Sequence, residues 1–332
     1  MKPKIAIDIG SLNTKIYKAH SGVVLSEPTC IAIKNKNYKN PVAYGEEAYS
    51  LIGKTPEGVE VIFPVTSADV IDNRAIIALI SHFIKKVKKP FEKISDVLFL
   101  VGCGLTREAI KKFENSLIGA KLFNVCFAES SQLSLLGSGV DLSLNSLDAV
   151  VDLGATQTTV CAMTDAGVIA GAQAEFGGNN LNKMIIKHLE EEMNLIISSS
   201  VAETLKTQLS SLDEDDETKI VISGKDTLSG KQKATQISAN KIYKPIKEFT
   251  DKIVKIINAV FASLDGESLV KLASTGIYLV GGGSKIYGVE DYLSKQLAMK
   301  VVIPNDADLA SIIGAGKLVE SSELLEKYKM KV

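Results

Sequence analysis

Two segments of the 332-residue chain repeat one another. Lys4-Ile5-Ala6-Ile7-Asp8-Ile9-Gly10 is a short apolar run that ends in Asp-x-Gly and gives way to small polar residues. Ala149-Val150-Val151-Asp152-Leu153-Gly154 does the same, its Asp 144 positions after Asp8. Each continues into a second apolar segment, Lys15-Ile16-Tyr17 and Thr159-Val160-Cys161-Ala162. Both read as a β-hairpin with a polar turn at Asp-x-Gly. A repeat this long cannot be a solenoid unit. It fits two related domains that open alike, and the chain length agrees with two domains or one large split one. Such a chain buries enough apolar surface to need no disulfide or metal staple.

Helical patterns lie between the hairpins. Asn73 to Val87 places Ile76, Ile77, Leu79, Ile80, Phe83, Ile84 and Val87 at a helix period. Thr106 to Leu117 is amphipathic with Thr106 as N-cap. Leu181 to Met193, Val201 to Leu209 and Ile242 to Leu264 are further helices. Asp96 to Gly102, Lys219 to Ser223 and Thr275 to Val280 read as strands, the last running into Gly281-Gly282-Gly283. The acidic run Asp213 to Glu217 reads as a solvated loop. Strands mixed with helices give the α/β class.

Composition narrows the function. Lys+Arg 38 against Asp+Glu 39 leaves a formal charge of −1. A protein whose main partner is nucleic acid needs a basic surplus, so none is expected. Cys30, Cys103, Cys126 and Cys161 form no CxxC pair and read as buried thiols. Three histidines make a zinc site a poor reading. The start, MKPKIAIDIG, has no signal-peptide core, and no apolar run reaches bilayer-spanning length. The expectation is a cytoplasmic protein.

The turns carry the chemistry. In Asp8-Ile9-Gly10-Ser11-Leu12-Asn13-Thr14-Lys15, Gly10 allows close backbone approach and successive N–H groups can nest an anion. Ser11, Asn13 and Thr14 offer hydroxyl and amide donors, and Lys15 a positive charge. Asp8 beside such a nest suits Mg²⁺, which takes oxygen ligands and keeps several waters. A hairpin turn with a capping Asp has the same composition, so one turn alone decides nothing. The second, Asp152-Leu153-Gly154-Ala155-Thr156-Gln157-Thr158, doubles the feature. The third element, Val280-Gly281-Gly282-Gly283-Ser284, follows a strand and strips away Cβ atoms where a base or phosphate could lie on backbone.

With these elements in this order, the chain resembles the MreB-type bacterial actins of the actin/Hsp70/sugar-kinase superfamily. IDIGSLNTKIY followed by GVVLSEPTCIAI resembles that family's opening, a DLGTANT turn and an LNEPS strand. Gly45-Glu46-Glu47-Ala48 with Ile52-Gly53-Lys54-Thr55-Pro56 resembles its GDEA and IGRTP segments. Phe176-Gly177-Gly178-Asn179-Asn180-Leu181 is similar to AGGDEMD, and Gly224 to Gly230 to GRDLVTG. Ala310-Ser311-Ile312-Ile313-Gly314-Ala315-Gly316 is similar to its final helix. The resemblance covers almost the whole chain. It implies two actin-like (ribonuclease H-like) domains with a nucleotide cleft between them: residues 1–138 with 306–332 (subdomains IA and IB), and 139–305 (subdomains IIA and IIB).

The resemblance also implies roles. Asp8 and Asp152 would position Mg²⁺ through waters. Gly10, Ser11, Leu12, Asn13, Thr14 and Lys15, with Gly154, Ala155 and Thr156, would clasp the phosphates of ATP or ADP. Gly177 and Gly178 would line the same site. Glu203 and Lys206 would contact ribose and adenine, although Glu-x-x-Lys on one helix face is equally an exposed ion pair. Gly281, Gly282, Gly283 and Ser284 would line the adenosine pocket.

Two departures bear on hydrolysis. The family's Glu-Glu-Pro, whose second Glu orients the attacking water, is here Glu129-Ser130-Ser131. Counting back from Gly137 places Ser130 at the catalytic Glu, and Gln157 replaces the Thr that partners it. Cleaving a γ-phosphate is mostly positioning and electrostatics around an oriented water. A serine hydroxyl is a poor proton acceptor, so weak ATPase activity with ATP binding retained is expected. Gln157 or Glu129 could still orient the water, and so could Gln132. Lys15 also departs, since MreB proteins usually carry an aliphatic residue there.

The family forms head-to-tail filaments, single or paired, that support cell shape under the membrane with other cytoskeletal and envelope proteins. The N-terminal amphipathic helix of some members is expected to be missing here. The stretch Lys85-Lys86-Val87-Lys88-Lys89-Pro90-Phe91-Glu92-Lys93 reads as a loop with five lysines and one Phe. It suits weak, salt-sensitive contact with anionic lipid at the inner face of the cell membrane, or a plain solvated loop. The C-terminal residues from Leu324 are a weaker candidate. Rival readings are a specialised bacterial actin for motility, organelle positioning or plasmid segregation, and, less favoured, an Hsp70-like or sugar-kinase-like ATPase.

Overall fold

The computed structural model describes residues 3–65, 72–122, 124–142 and 146–331. The chain divides into two units. The first comprises residues 1–144, 165–167 and 308–332, and the second 145–164 and 168–307.

The first unit opens with β1 (Ile5–Ile9), β2 (Asn13–Lys18) and β3 (Gly22–Pro28). Then come β4 (Ile31–Lys34), β5 (Ala43–Tyr44), α1 (Gly45–Tyr49) and β6 (Val59–Ile62). After α2 (Asn73–Val87) follow β7 (Asp96–Val101), α3 (Arg107–Leu117), β8 (Asn124–Glu129) and α4 (Ser130–Gly137). The main sheet runs β3-β2-β1-β7-β8, and β5-β4-β6 form a small one. β1 pairs antiparallel with β2 and parallel with β7, which pairs parallel with β8. Ile5, Ile7, Ile16, Phe83, Phe99 and Phe127 are shielded from solvent in its core.

The second unit holds β9 (Asp148–Leu153), β10 (Thr158–Thr164), β11 (Gly167–Ala174), α5 (Gly178–Met193), β12 (Leu195–Ile196) and α6 (Ser199–Leu209). Then come β13 (Lys219–Asp226), β14 (Gln232–Ser238), α7 (Tyr243–Phe261), α8 (Gly266–Thr275), β15 (Ile277–Val280), α9 (Val289–Leu297) and β16 (Val301–Val302). Its main sheet runs β11-β10-β9-β15-β16, with β12-β13-β14 as the small one. β9 pairs antiparallel with β10 and parallel with β15, which pairs parallel with β16. This is the order of the first unit, strand for strand. The repeat in sequence is therefore a repeat in topology.

The chain ends in α10 (Ala310–Glu320) and α11 (Ser322–Tyr328), which pack within the first unit. α10 lies backbone to backbone on α4. A Cβ on Gly137 would sit 1.8 Å from the Ala310 carbonyl oxygen, and one on Gly314 would sit 1.9 Å from that of Leu133. Only hydrogen fits at either crossing point, so the two helices are held in close backbone contact at the C-terminal half of α4.

Local signals explain the boundaries. The Asp72 carboxylate caps α2 through the Arg74 and Ala75 N–H groups, and Thr106 caps α3 through Ala109. Three sequence readings are corrected. Lys85, Lys86 and Val87 are the last turn of α2 and not loop. Thr275 ends α8, a helix that the sequence reading passed over, so the strand begins at Ile277. The long helix spans Tyr243–Phe261, shorter at both ends than expected. No disulfide joins the four cysteines. Asp213 to Glu217 is a loop of tight turns, as read.

Candidate functional site

The two Asp-x-Gly turns close in the same way. In the first, the Gly10 N–H donates to the Asn13 carbonyl at 3.0 Å, and in the second the Gly154 N–H donates to the Gln157 carbonyl at 3.0 Å. Asp8 stands opposite Lys15 in the β1–β2 register, and Asp152 opposite Thr159 in β9–β10. Each Asp is thus the penultimate strand residue, half-buried, two positions before its turn.

In the first unit, Asp8 Oδ2 accepts from the Ser311 hydroxyl at 2.8 Å, so α10 helps to orient the carboxylate. Ser11, Leu12 and Asn13 are half-buried around the turn. Thr14 differs from expectation. Its residue is 1% exposed and its hydroxyl pairs with that of Thr29 at 2.9 Å, while the Thr29 N–H donates to Leu12 at 2.8 Å. Its side chain braces the turn from behind and offers nothing to a phosphate. Lys15 donates its ammonium to the Asp308 carbonyl, just ahead of α10.

At the end of β8, Glu129 Oε1 accepts from the Ser131 N–H at 3.2 Å and caps α4. Burial pushes its carboxyl above the usual range, against the opposing pull of the Ser131 hydroxyl and N–H. A carboxyl of raised pKa is a better proton acceptor once ionised. Ser130 is the first residue of α4, half-buried. Glu129 and Ser130 are therefore adjacent at one helix start, while Gln157 belongs to the second unit.

In the second unit, α5 starts against the turn. Gly178 N–H donates to the Gly154 carbonyl at 2.9 Å and Asn179 N–H to that of Ala155 at 2.7 Å. The Thr158 hydroxyl donates to Phe176 at 2.6 Å. Gly177 and Gly178 thus hold the Gly154-Ala155-Thr156 turn in shape. Glu203 and Lys206 meet on α6, Lys206 Nζ lying 2.6 Å from Glu203 Oε2 and 3.4 Å from the Gly178 carbonyl. Side-chain exposures of 19% and 15% rule out the reading of a fully solvated surface pair. Asn182, which the sequence reading did not single out, donates to the same Oε2 at 2.7 Å.

The glycine triplet abuts this turn too. Gly281 has φ +81° and ψ 175°, and its N–H donates to Ala307 at 3.0 Å. A Cβ there would fall 2.2 Å from Asp152 Oδ1. The Ser284 hydroxyl donates back to the Gly281 carbonyl at 2.7 Å. Gly282 is open to solvent, with nothing within 4 Å of a Cβ. Asp152, Gly154, Gly177, Gly178, Glu203, Lys206 and Gly281 are thereby gathered in one region of the second unit. In the first unit Asp8 and Gly10 stand at the end of β1, Lys15 lies in β2 opposite Asp8, and Glu129 and Ser130 stand where β8 passes into α4. Carboxylate oxygens are the donor type that Mg²⁺ takes, and Asp8 and Asp152 supply them.

Two units of like topology, each opening on an Asp-x-Gly turn, define the actin-like fold. The model of the MreB/Mbl protein family matches residues 2–327. The chain belongs to the MreB/Mbl family. It is 25% identical to the cell shape-determining protein Mbl of Bacillus subtilis, covering 98% of each chain. It is 26% identical to the cell shape-determining protein MreB of Escherichia coli K12, covering 96% of this chain and 94% of that one. Its fold superposes on MreB 5 of Spiroplasma citri bound to AMPPNP with a TM-score of 0.90 at 24% identity, over 98% of each chain. The MamK double helical filament gives 0.76 at 16% identity, over 96% of this chain and 98% of that one. No helix among the described residues is long and apolar enough to cross a membrane.

Proposed function

We propose that this protein binds ATP with Mg²⁺, assembles head-to-tail into filaments and serves in cell shape, the last being what the names of its MreB and Mbl relatives say of them. The observation that carries the reading is the pair of turns closed by the same Gly N–H bond, each two residues after an Asp. Main-chain N–H groups at such turns take phosphate oxygens, and Asp8 and Asp152 would hold the waters of Mg²⁺. Mg²⁺ would neutralise phosphate charge when bound. Glu203 and Lys206 would meet the nucleoside, and Gly281 to Ser284 would flank it.

Hydrolysis is slow in this reading. Ser130 supplies no carboxylate, and Glu129 is engaged in capping α4. Self-assembly is heterologous, one subunit's front on the next one's back, and does not close on itself. Neighbours solved with AMPPNP and with ADP support nucleotide binding, and a neighbour solved as a double helical filament supports self-assembly.

A membrane contact at the inner face of the cell membrane belongs to the same proposal. Lys88 to Lys93 form a built turn, since Lys18 Nζ bonds Glu92 at 2.7 Å and the Val87 carbonyl at 3.1 Å. The turn presents Phe91 fully exposed at φ +63° among lysines. Each basic residue near an anionic surface adds about 1 kcal/mol. Lys86 is partly spent on Glu27, at 2.5 Å.

Titration calorimetry with ATP, with and without Mg²⁺, tests the nucleotide reading. Wild type should bind MgATP, and Asp8→Ala and Asp152→Ala should each weaken it at least tenfold while leaving metal-free binding less affected. No heat of binding from folded wild-type protein would refute it.

A further inference from the structure

One group beside this site has no part in the roles assigned so far. Asn182, on the second turn of α5, is 7% exposed. Its Nδ2 donates to Glu203 Oε2 at 2.7 Å, and the same oxygen receives Lys206 Nζ at 2.6 Å. Lys206 reaches on to the Gly178 carbonyl at 3.4 Å, where α5 meets the Gly154 turn. Asn182 Oδ1 is buried without a partner. A buried amide oxygen left unpaired is destabilising, because its desolvation is not repaid. The position therefore tolerates a penalty that an apolar side chain of equal size would avoid, and what it obtains is the bond to Glu203.

We propose that Asn182 is a positioning residue that fixes the Glu203 carboxylate for the sugar hydroxyls of a bound nucleotide. The inference rests on the nucleotide reading of the same site. Both donors converge on Oε2, which locks the carboxylate's rotation and leaves Oε1 as the acceptor for a ligand. A diol is the matching chemistry, because a hydroxyl donates where a phosphate oxygen cannot. A Lys206 contact alone would hold Oε2 but let the carboxylate swing about that bond. The amide, arriving from α5 while Lys206 arrives from α6, takes the second lone pair of the same oxygen and so sets the plane of the carboxylate. Asn182 touches no ligand in this scheme and acts through Glu203.

The test uses the full chain with Asn182→Leu, close in volume and without a donor, and Asn182→Ala as a second variant. Calorimetry compares ATP, 2′-deoxy-ATP, 3′-deoxy-ATP and inorganic tripolyphosphate, with thermal melting to verify folding. Wild type should prefer ATP over at least one deoxy analogue. Both variants should bind ATP about tenfold more weakly and lose that preference, while binding tripolyphosphate as wild type does, since the lost hydrogen bond is to a charged group and the residual Lys206 contact keeps part of the carboxylate's position. A purely structural role would weaken tripolyphosphate equally, and that result would overturn the proposal. So would unchanged ATP affinity and sugar preference in a folded variant. Wild type that binds neither ATP nor tripolyphosphate would instead refute the nucleotide reading itself, and this proposal with it.

Discussion

Gly281→Ala is the substitution whose cost the structure sets most sharply. The backbone at φ +81°, ψ 175° lies in a region that is essentially glycine's alone, and holding another residue there costs about 1–3 kcal/mol. The new methyl would fall 2.2 Å from Asp152 Oδ1, 2.7 Å from the Leu153 carbonyl oxygen and 2.9 Å from its carbon. The carboxylate can turn aside, but the main chain of β9 cannot without breaking its pairing with β15 at Val280↔Asp152. Overpacking of this kind adds about 1–3 kcal/mol. A combined loss of about 3 kcal/mol lowers the melting temperature by about 6–12 °C for a unit of this size. Because Asp152 is the side chain displaced, MgATP affinity should fall as well. Gly282→Ala is the internal control, for nothing lies within 4 Å of its Cβ and the residue is exposed, so a change within about 0.5 kcal/mol is expected. Differential scanning calorimetry with a urea titration reads both. Equal melting temperatures for the two variants would refute the reasoning, as would a Gly281→Ala protein within error of wild type.

Three further outcomes follow from the same structure. Ser130→Glu places a carboxylate at the first residue of α4, where a negative charge also suits the helix dipole; phosphate release should rise at least tenfold, toward the 10²–10⁴ that a positioned base typically supplies, and an unchanged rate would show that Ser130 is not the deficit. Glu129 has its folded-state pKa raised by burial, so the folded state holds the proton more tightly than the unfolded one, and stability falls as pH rises from the ordinary carboxylate pKa through the raised one; Glu129→Gln should therefore melt higher than wild type at pH 8, with the gap closing at pH 4, and the opposite trend would contradict the assigned cause. Phe91→Gly relieves a left-handed residue that buries nothing; it should stabilise the protein by about 1 kcal/mol while weakening sedimentation with phosphatidylserine vesicles at low salt, and undiminished vesicle binding would remove Phe91 from the membrane reading.

Much of the fold was legible because its signals are local. The Asp-x-Gly hairpins carry apolar runs on both sides of a polar turn. The first long helix has a full apolar stripe and an Asp cap at its start. What escaped had weak stripes. α8 is only ten residues long and fully buries only Leu272, although Asp265 caps it through Ser268. β5 and β12 are two residues each, too short for any alternation. In the candidate site, the glycines and aspartates could be placed because turns demand those residue types. Side-chain direction could not. Thr14 looks like a donor in sequence, and only its pairing with Thr29 across β2 and the residues after β3 shows that it faces inward. Asn182 was passed over for the converse reason: nothing in Asn-Leu-Asn-Lys marks a residue whose partner lies on the next helix.

The measurement closest to the central claim is sedimentation of the purified full chain in MgATP, in MgADP and without nucleotide, with each pellet viewed by negative-stain electron microscopy. The account predicts filaments in MgATP that persist for many minutes because hydrolysis is slow, and their loss when nucleotide is withheld or when Asp152 is replaced by Ala. Folded protein that stays in the supernatant under every nucleotide condition, with no filaments in the microscope, would contradict it.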